Sequence, residues 1–272
     1  MARAEAPEAR TATSGSAQFT YLERGSGTPL VLLHGVGSGA RSWKHQLQDF
    51  SGDFRVIAWD APGYGGSSAL SASVPDAEDY AAALAALLEV LEVRRMHLVG
   101  HSLGCIIAAR YARRHAERIA SLTLAAVATG HAALPPEERA RLRDGRLDDL
   151  AALGPRGMAE KRGPRLLSPN ADEATQRAVI ETMAAVRPDG YRQAVWLLSN
   201  ADTRADVRAL PATMHVQFVY GDADVITTPE QNRTVAAERP GAPVHMLRGA
   251  GHALYLEQTE AFNEVLLRHI AS

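Results

Sequence analysis

The chain of 272 residues lacks most of the features that mark secreted, membrane-bound and nucleic-acid-binding proteins. It contains one cysteine, Cys105, so it cannot form an internal disulfide, which is typical of proteins in a reducing compartment. Its formal net charge is -2, which provides no basic surface for nucleic acid or for an anionic membrane. No apolar run reaches the roughly 20 residues that a membrane-spanning helix needs. We therefore expect neither a nucleic-acid partner nor membrane association.

The amino-terminal segment lacks the apolar stretch of a secretory signal. Residues 1–16 are rich in Ala, Glu, Arg, Ser and Thr, and we predict that they form a disordered tail. Together with the single cysteine, this composition favours a cytoplasmic location. The sequence has neither the ligand spacing of a metal site nor the glycine pattern of a dinucleotide site, so we expect no metal and no cofactor.

One short stretch, which joins an apolar strand to a helix, carries the strongest signal in the sequence. Residues 96–99 have the pattern of a buried strand and residues 103–111 that of a helix, with Gly100-x-Ser102-x-Gly104 at the junction. A strand that becomes a helix within one residue forces that residue into strained backbone angles, and the flanking positions approach too closely for β-carbons. The turn presents the Ser102 hydroxyl at the start of a helix, where backbone N–H groups face developing negative charge. The pattern therefore predicts a nucleophile elbow.

The rest of the chain alternates between apolar strands and amphipathic helices, except in one long segment. Continuous apolar runs, such as residues 29–33 and 54–59, are separated by helical patterns. This alternation predicts an α/β fold with a doubly wound, mostly parallel sheet. We predict that residues 17–130 and 211–272 form the core. Residues 131–210 have a helical pattern without a buried strand, and we predict that they form a lid inserted after the sixth strand.

The residues needed for nucleophilic catalysis occur in a meaningful order along the chain. A serine hydroxyl becomes a good nucleophile only with a base in hydrogen-bond reach and a third group that orients the base. On doubly wound sheets this triad runs in the chain order serine, acid, histidine. Here Ser102 is followed by Asp224, after a strand that ends near residue 220, and by His252, after the last strand. Because active sites of open α/β sheets lie beyond the carboxyl ends of the strands, we predict that these three residues meet there.

The chain also resembles a known family over nearly all of its length outside the tail and the middle of the lid. It is similar to the α/β-hydrolase superfamily, and within it to small carboxylesterases and the 3-oxoadipate enol-lactonase group. The motifs that carry the resemblance are His34-Gly35, Asp60-x-Pro62-Gly63-x-Gly65-x-Ser67, Gly100-x-Ser102-x-Gly104, Gly221-x-x-Asp224 and Gly251-His252. The resemblance implies that Ser102 is the nucleophile, His252 the general base and then acid, and Asp224 the orienting carboxylate. It also implies an oxyanion hole formed by the backbone N–H groups of Val36 and Leu103, which bind charge present only in the transition state.

Several residues near these motifs have competing interpretations. Asp222 lies two residues before Asp224 and is the alternative acid, although the family spacing favours Asp224 and makes Asp222 a turn residue. His101 flanks the elbow and is a candidate substrate contact, with simple packing as the alternative. Trp196 is a second candidate contact, with a place in the lid core as the alternative. Arg162 is a third, but it belongs to a set of arginines interleaved with acidic residues, which favours a solvated face over an anion clamp.

The mechanism that follows from these residues is acyl transfer. Ser102 attacks the carbonyl of a small ester or lactone, an acyl-enzyme forms, and water activated by His252 releases the acid. Two other functions use the same residues: a carbon–carbon bond hydrolase or perhydrolase, and a receptor-like binding protein with slow turnover. Carbon–carbon hydrolases of this fold typically carry Asn where this chain has His101. The lid has no substrate signature, so the sequence specifies neither the substrate nor the oligomeric state.

Overall fold

The computed structural model describes residues 7–272, so the predicted disordered tail over residues 1–16 lies partly outside the described residues. Within this range the first element is a strand, β1 (Arg10–Ser14), and the tail prediction is wrong for those residues. β1 pairs antiparallel with β2 (Ala17–Arg24), and Arg10 forms an ion pair of 2.6 Å with Glu23. Its one buried side chain is Ala12. A strand that is held mainly through its backbone has little hydrophobic pattern, so the sequence does not predict it.

Eight strands form a single sheet within the described residues. The other six are β3 (Thr28–Leu33), β4 (Phe54–Trp59), β5 (Met96–His101), β6 (Ile119–Ala125), β7 (Val216–Gly221) and β8 (Val244–Leu247). Their spatial order is β1-β2-β4-β3-β5-β6-β7-β8. The strands from β4 to β8 in this order pair in parallel, and only the two edge pairs that involve β2 are antiparallel. This confirms the predicted α/β fold with a mostly parallel, doubly wound sheet.

Helices cover both faces of the sheet and build a hydrophobic core on each. They are α1 (Lys44–Asp49), α2 (Ala77–Val90), α3 (Leu103–Arg114), α4 (Pro136–Arg162), α5 (Glu173–Ala184), α6 (Pro188–Asn200), α7 (Thr203–Arg208), α8 (Pro229–Ala236), α9 (Leu254–Glu257) and α10 (Thr259–Ala271). One core includes side chains of α2, α3, α7 and α8, and the other includes side chains of α1 and α10. In β3, Val31 and Leu33 pack into the first core while Leu30 and Leu32 pack into the second. The continuous apolar run is therefore explained by a strand that is buried on both faces.

The chain between β6 and β7 departs from this alternation, and we call residues 131–210 the helical insertion. It contains α4 to α7 and a short 3₁₀ helix (Gly163–Leu166), and none of its described residues forms a strand. α4 is broken at Gly154, where φ is +63° and ψ is 178°, values that glycine adopts readily. The second half folds back along the first, so that Arg162 donates to the Gly145 carbonyl at 3.3 Å and pairs with Asp149.

The helical insertion is attached to the loop that follows β4 through close backbone contact. A β-carbon on Gly190, at the start of α6, would lie 2.1 Å from the Gly63 carbonyl oxygen, so neither position has room for a side chain. Three residues further on, the Gln193 side chain accepts from the Leu70 N–H at 3.0 Å and donates to the carbonyls of Leu70 and Ala72 at 2.8 and 2.9 Å. These contacts fix α6 above the carboxyl ends of the strands.

Candidate active site

Ser102 occupies the turn between β5 and α3 in a strained backbone conformation. Its φ is +53° and its ψ is -113°, in the region that side-chain-bearing residues rarely adopt. The turn is possible because its neighbours are glycines: a β-carbon on Gly100 would lie 2.5 Å from the Gly104 carbonyl oxygen, and one on Gly104 would lie 2.3 Å from the Leu33 carbonyl oxygen. The sharp turn expected from the sequence is therefore present, with the serine at its apex.

The groups around the Ser102 side chain are arranged to leave the hydroxyl free. Ser102 precedes the first residue of α3, yet its side chain makes no capping hydrogen bond. Leu103 begins the helix with its side chain fully buried, and the N–H of a first helical residue has no partner within the helix. Val36 follows β3, and its carbonyl accepts a hydrogen bond of 2.6 Å from the Tyr64 hydroxyl. Val36 and Ser102 line the same cavity.

His252 and Asp224 form a buried hydrogen-bonded pair. The Nδ1–H of His252 donates to Asp224 Oδ2 at 2.8 Å, and the two residues are 4 % and 2 % exposed. The Asp224 carboxylate also accepts from the Thr227 hydroxyl at 2.8 Å and from the N–H groups of Ile226 and Thr227 at 2.7 and 3.0 Å. With Nδ1–H committed to Asp224, Nε2 of the neutral ring carries the lone pair.

The environment of Asp224 keeps its carboxylate ionised. Burial alone would raise the pKa of Asp224, but the charge and hydrogen bond of His252, with the hydrogen bonds from Thr227 and the Ile226 N–H, together hold it below its usual value. Asp222, the alternative acid, is exposed and accepts a hydrogen bond of 2.7 Å from the Gly249 N–H. The structure thus brings Asp224, rather than Asp222, to His252.

A cavity of about 420 Å³ lies over the carboxyl ends of the strands and joins the predicted residues. Ser102 and His252 both line it, together with His101 and Arg162. The described hydrogen bonds include none between the Ser102 hydroxyl and His252. The volume falls within the roughly 300–1,000 Å³ that is common for small-molecule sites. Apolar side chains of the helical insertion close it on one side, among them Leu142, Val179, Met183 and Leu198.

His101 has a structural contact that the sequence did not indicate. Its Nε2–H donates to the His252 carbonyl at 2.8 Å, so the ring supports the loop that carries His252. Its Nδ1 is buried without a hydrogen-bond partner among the described residues. Burial, and secondarily the charge of His252, lower the pKa of His101 to about 3. The imidazole is therefore neutral at ordinary pH and orients its neighbour without competing for its proton.

Glu257 is a second residue near the site that sequence reasoning missed. Its carboxylate accepts from the Gly251 N–H at 2.9 Å and from the Ser168 N–H at 2.8 Å. Gly251 precedes His252, whereas Ser168 belongs to the helical insertion. Glu257 thus joins the insertion to the histidine loop. No local motif signals such a contact, because its two partners are far apart in the sequence.

The two predicted contacts in the helical insertion have different outcomes. The prediction that Trp196 contacts the substrate is corrected, because Trp196 does not line the cavity. Its ring lies under the Arg143 guanidinium, with 4.4 Å between the ring centroid and Arg143 Cζ. Arg162 does line the cavity, as do Arg146 and the exposed Arg165. Arg162 and Arg146 are partly buried, so the prediction of a solvated face is wrong for these two arginines. Helical periodicity alone could not distinguish them from exposed arginines, because the break at Gly154 decides which face meets the cavity.

Two other kinds of site are absent from the residues that the structure describes. Residues 7–272 contain no group of three or more His, Cys, Asp or Glu side chains placed to hold a metal ion. None of the helices within that range combines the length and the apolar character that crossing a bilayer requires.

Comparison with known proteins places the chain in a family. The profile of the Alpha/beta hydrolase family matches residues 30–265. The chain is 30% identical over 254 residues, 90% of this chain and 95% of the other, to a pimeloyl-[acyl-carrier protein] methyl ester esterase of Chromobacterium violaceum. A thermophilic esterase from Thermogutta terrifontis has a similar structure, with a TM-score of 0.84, 25% identity and coverage of 97% and 100% of the two chains. An enol-lactonase from Burkholderia xenovorans LB400 shares the fold, with a TM-score of 0.87, 21% identity and the same coverage.

These matches confirm the resemblance to small esterases and enol-lactonases. The relative named as a methyl ester esterase agrees with a hydrolytic activity, and the family profile spans both the elbow of Ser102 and the loop of His252. The chain belongs to the Alpha/beta hydrolase family.

Proposed function

We propose that the protein is a serine hydrolase that cleaves a small carboxylic ester or lactone. The observation that carries this proposal is the buried Asp224–His252 pair, 2.8 Å long, on the same cavity as the strained Ser102. The three residues would then act as nucleophile, base and orienting carboxylate. The relative from Chromobacterium violaceum is named for ester cleavage, which supports the same reaction class for this chain.

The first half of the reaction makes the acyl-enzyme. Ser102 Oγ attacks the substrate carbonyl while its proton passes to Nε2 of His252, and the carbonyl oxygen becomes an oxyanion. The backbone N–H groups of Val36 and Leu103 would bind that oxyanion, and losing one such donor typically slows the reaction by roughly 10²–10³. The protonated imidazole then gives its proton to the leaving alcohol oxygen, and the ester bond breaks.

The second half returns the enzyme to its starting state. A water molecule loses a proton to His252 Nε2 and attacks the acyl carbon, and the same proton returns to Ser102 as the acid leaves. Ionised Asp224 stabilises the imidazolium in both halves. The absence of a hydrogen bond between the Ser102 hydroxyl and His252 is compatible with this role, because catalytic hydrogen bonds often form only when the substrate is bound.

The helical insertion would serve as the lid of this site. Its residues Leu142, Val179, Met183 and Leu198 contribute apolar lining, so it would exclude water from the acyl-enzyme. It would also influence the size and polarity of the substrate, since it supplies a large part of the cavity lining, including Arg146 and Arg162.

The test is hydrolysis of short-chain p-nitrophenyl esters by the wild type and by Ser102→Ala. We expect the variant to lose at least about 10³-fold in kcat/KM, because the nucleophile is removed while binding remains. Ser73→Ala, which alters an exposed serine, is the matched control. Undiminished turnover in Ser102→Ala would contradict the proposal. Wild-type turnover below about one per minute across esters and lactones would favour a binding protein, because typical enzymes reach roughly 1–10³ per second.

A further inference from the structure

Three arginines of the helical insertion line the cavity, and their partners differ. Arg162 pairs with Asp149, which also binds Lys161 at 2.7 Å, and the Arg162 Nε is buried without a partner among the described residues. Arg146 and Arg165 have neither an ion pair nor a side-chain hydrogen bond to any described residue. Arg165 is exposed, whereas Arg146 is partly buried. Arg146 is therefore the partly buried arginine of the cavity lining to which no described residue supplies a counter-charge.

The surroundings of Arg146 place it among groups that border the reaction site. It follows Gly145 on α4, and the Gly145 carbonyl accepts from Arg162 at 3.3 Å, so the two arginines belong to the same part of the α4 hairpin. Burial is the main cause that lowers the pKa of His131, a lining residue, and the nearby charge of Arg146 lowers it further. The charge of Arg146 also acts on Tyr64, whose hydroxyl donates to the Val36 carbonyl.

The charges around the cavity do not balance. Glu138 is the one acidic residue among the described lining residues, and it faces Arg141 at 3.9 Å on the exposed side of α4. Arg162 has Asp149 as its partner, but Arg146 and Arg165 against the single Glu138 leave an excess of positive charge beside apolar walls. A partly desolvated guanidinium without a counter-ion is unfavourable, so such groups are usually paired or serve a ligand. The planar guanidinium also matches a carboxylate in a bidentate hydrogen bond.

We infer that the substrate carries a carboxylate in addition to the ester or lactone that is cleaved, and that Arg146 binds this carboxylate. Arg162 and Arg165 add positive charge to the same subsite, while Leu142 and Val179 contact the hydrocarbon part of the substrate. This inference rests on the proposed hydrolase function, because it names the substrate class of that site. It separates acidic esters and lactones from neutral ones.

The experiment compares charged and neutral esters in two matched pairs. The first pair is the p-nitrophenyl half ester of glutaric acid and p-nitrophenyl hexanoate, with the charge on the acyl side. The second is para-acetoxybenzoate and phenyl acetate, with the charge on the leaving group. Each kcat/KM is divided by the rate of alkaline hydrolysis of that ester, so that intrinsic reactivity cancels. The quantity compared is the preference for the charged ester within a pair.

We expect the wild type to prefer the charged ester in at least one pair. Arg146→Met should reduce that preference by about 10- to 100-fold, the range expected for a charged hydrogen bond. Arg146→Lys, which keeps the charge without the planar fork, should retain part of it. Arg192→Met removes the same charge from an exposed position of α6 that does not line the cavity, and it should leave the preference unchanged. Thermal unfolding of each variant shows whether it is folded.

Two outcomes would overturn the inference: no preference for the charged ester in either pair, or an equal preference in the wild type and Arg146→Met. Failure of the proposed function has a different signature, namely no Ser102-dependent hydrolysis of any of the four esters. In that case calorimetry with monomethyl glutarate, which carries one carboxylate, and with the neutral methyl hexanoate tests the subsite alone. Tighter binding of monomethyl glutarate that Arg146→Met abolishes would support the carboxylate subsite, and equal binding of the two compounds would contradict it.

Discussion

At the scale of single residues, Ser102 combines a strained backbone with a position on the wall of the cavity. A positive φ on a residue with a β-carbon costs of the order of 1–3 kcal/mol. The conformation persists because the strand before it and the helix after it are both fixed in the buried core. The strain arises from the β-carbon and not from the hydroxyl, so variants without the hydroxyl can show it in their free energies of unfolding.

We predict that Ser102→Gly is more stable than Ser102→Ala. Both variants lack the hydroxyl, but alanine keeps the β-carbon at φ +53° while glycine accepts that angle. Relief of strain should outweigh the extra backbone entropy of glycine and raise the free energy of unfolding by about 1 kcal/mol. Urea unfolding of the two variants checks this. Equal or lower stability of the glycine variant would show that the turn is not strained at this position.

A second prediction concerns Asp224 and pH. The pKa of Asp224 is lower in the folded protein than in the unfolded chain, so its ionisation contributes stability above about pH 4, and this contribution is lost as the pH falls through the lowered value. We expect Asp224→Asn to depend less on pH below pH 4 and to lie closer to the wild type at pH 3 than at pH 7. Asp222→Asn, at the exposed carboxylate two residues earlier, is the control for a general charge effect. Parallel pH profiles of the wild type and Asp224→Asn would contradict this assignment.

How much of the site could be predicted depended on whether its signal was local. Ser102 was readable because glycines two residues on either side are required by its own turn. Asp224 and His252 were readable from the ends of two later strands. The hydrogen bonds of His101 and Glu257 were not predicted, because each acts through a backbone group that only the folded chain brings near. A pattern within a few residues has no information about such partners.

At the scale of elements, Glu257 joins parts of the chain that no strand pairing connects. It accepts one hydrogen bond from the loop of His252 and one from the helical insertion, using a different carboxylate oxygen for each. The Ala253 N–H also donates to the Leu166 carbonyl at 2.8 Å, so the two segments meet along several residues. The position of the insertion and the position of His252 are therefore linked.

We predict that Glu257→Gln lowers both stability and activity. Glutamine has one carbonyl oxygen, so one of the two buried N–H groups loses its acceptor, which typically costs about 1–3 kcal/mol in the free energy of unfolding. The rate of ester hydrolysis should fall as well, because the His252 loop loses a constraint. Glu260→Gln, at an exposed position of α10, is the matched control. If both variants unfold and react like the wild type, Glu257 does not position the loop.

Strands in the middle of the sheet were predicted more accurately than its edge. The bounds of β4 agree with the apolar run over residues 54–59 because that run is bounded by turn residues. β1 was missed, since its stability comes from backbone pairing and an ion pair. The fold-back of α4 at Gly154 was also missed, because a single glycine inside a helical pattern does not specify whether the helix bends, ends or continues.

At the scale of the whole molecule, several histidines are buried in the neutral form. His34 accepts from the Ala61 N–H through Nε2 at 3.0 Å and is fully buried, and burial lowers its pKa. Burial also lowers the pKa of His101 to about 3 and that of His269 to about 4. Each of these groups takes up a proton on unfolding at mildly acidic pH. The folded state therefore loses stability as the pH falls below the usual histidine pKa of about 6.5.

We predict that His101→Gln weakens this acid sensitivity. Between about pH 4 and 6 the unfolded chain binds one proton at His101 that the folded protein does not, which contributes a slope of about 1.4 kcal/mol per pH unit. The glutamine amide retains a donor for the His252 carbonyl but has no titratable group. The slope of the free energy of unfolding against pH should therefore decrease by about 1.4 kcal/mol per pH unit, which corresponds to one bound proton. An unchanged slope would mean that His101 does not remain neutral in the folded protein.

The paired glycines at positions 63 and 190 have a consequence for engineering. A chimera that takes the segment between β6 and β7 from another hydrolase would bring a foreign residue against Gly63, and any side chain there would meet the carbonyl oxygen at 2.1 Å. The donor's own loop after β4 would have to be transplanted with it, although more than a hundred residues separate Leu70 and Ala72 from the Gln193 that binds them. Changing the substrate specificity of this protein by segment exchange thus requires that the helical insertion and the loop after β4 be replaced together.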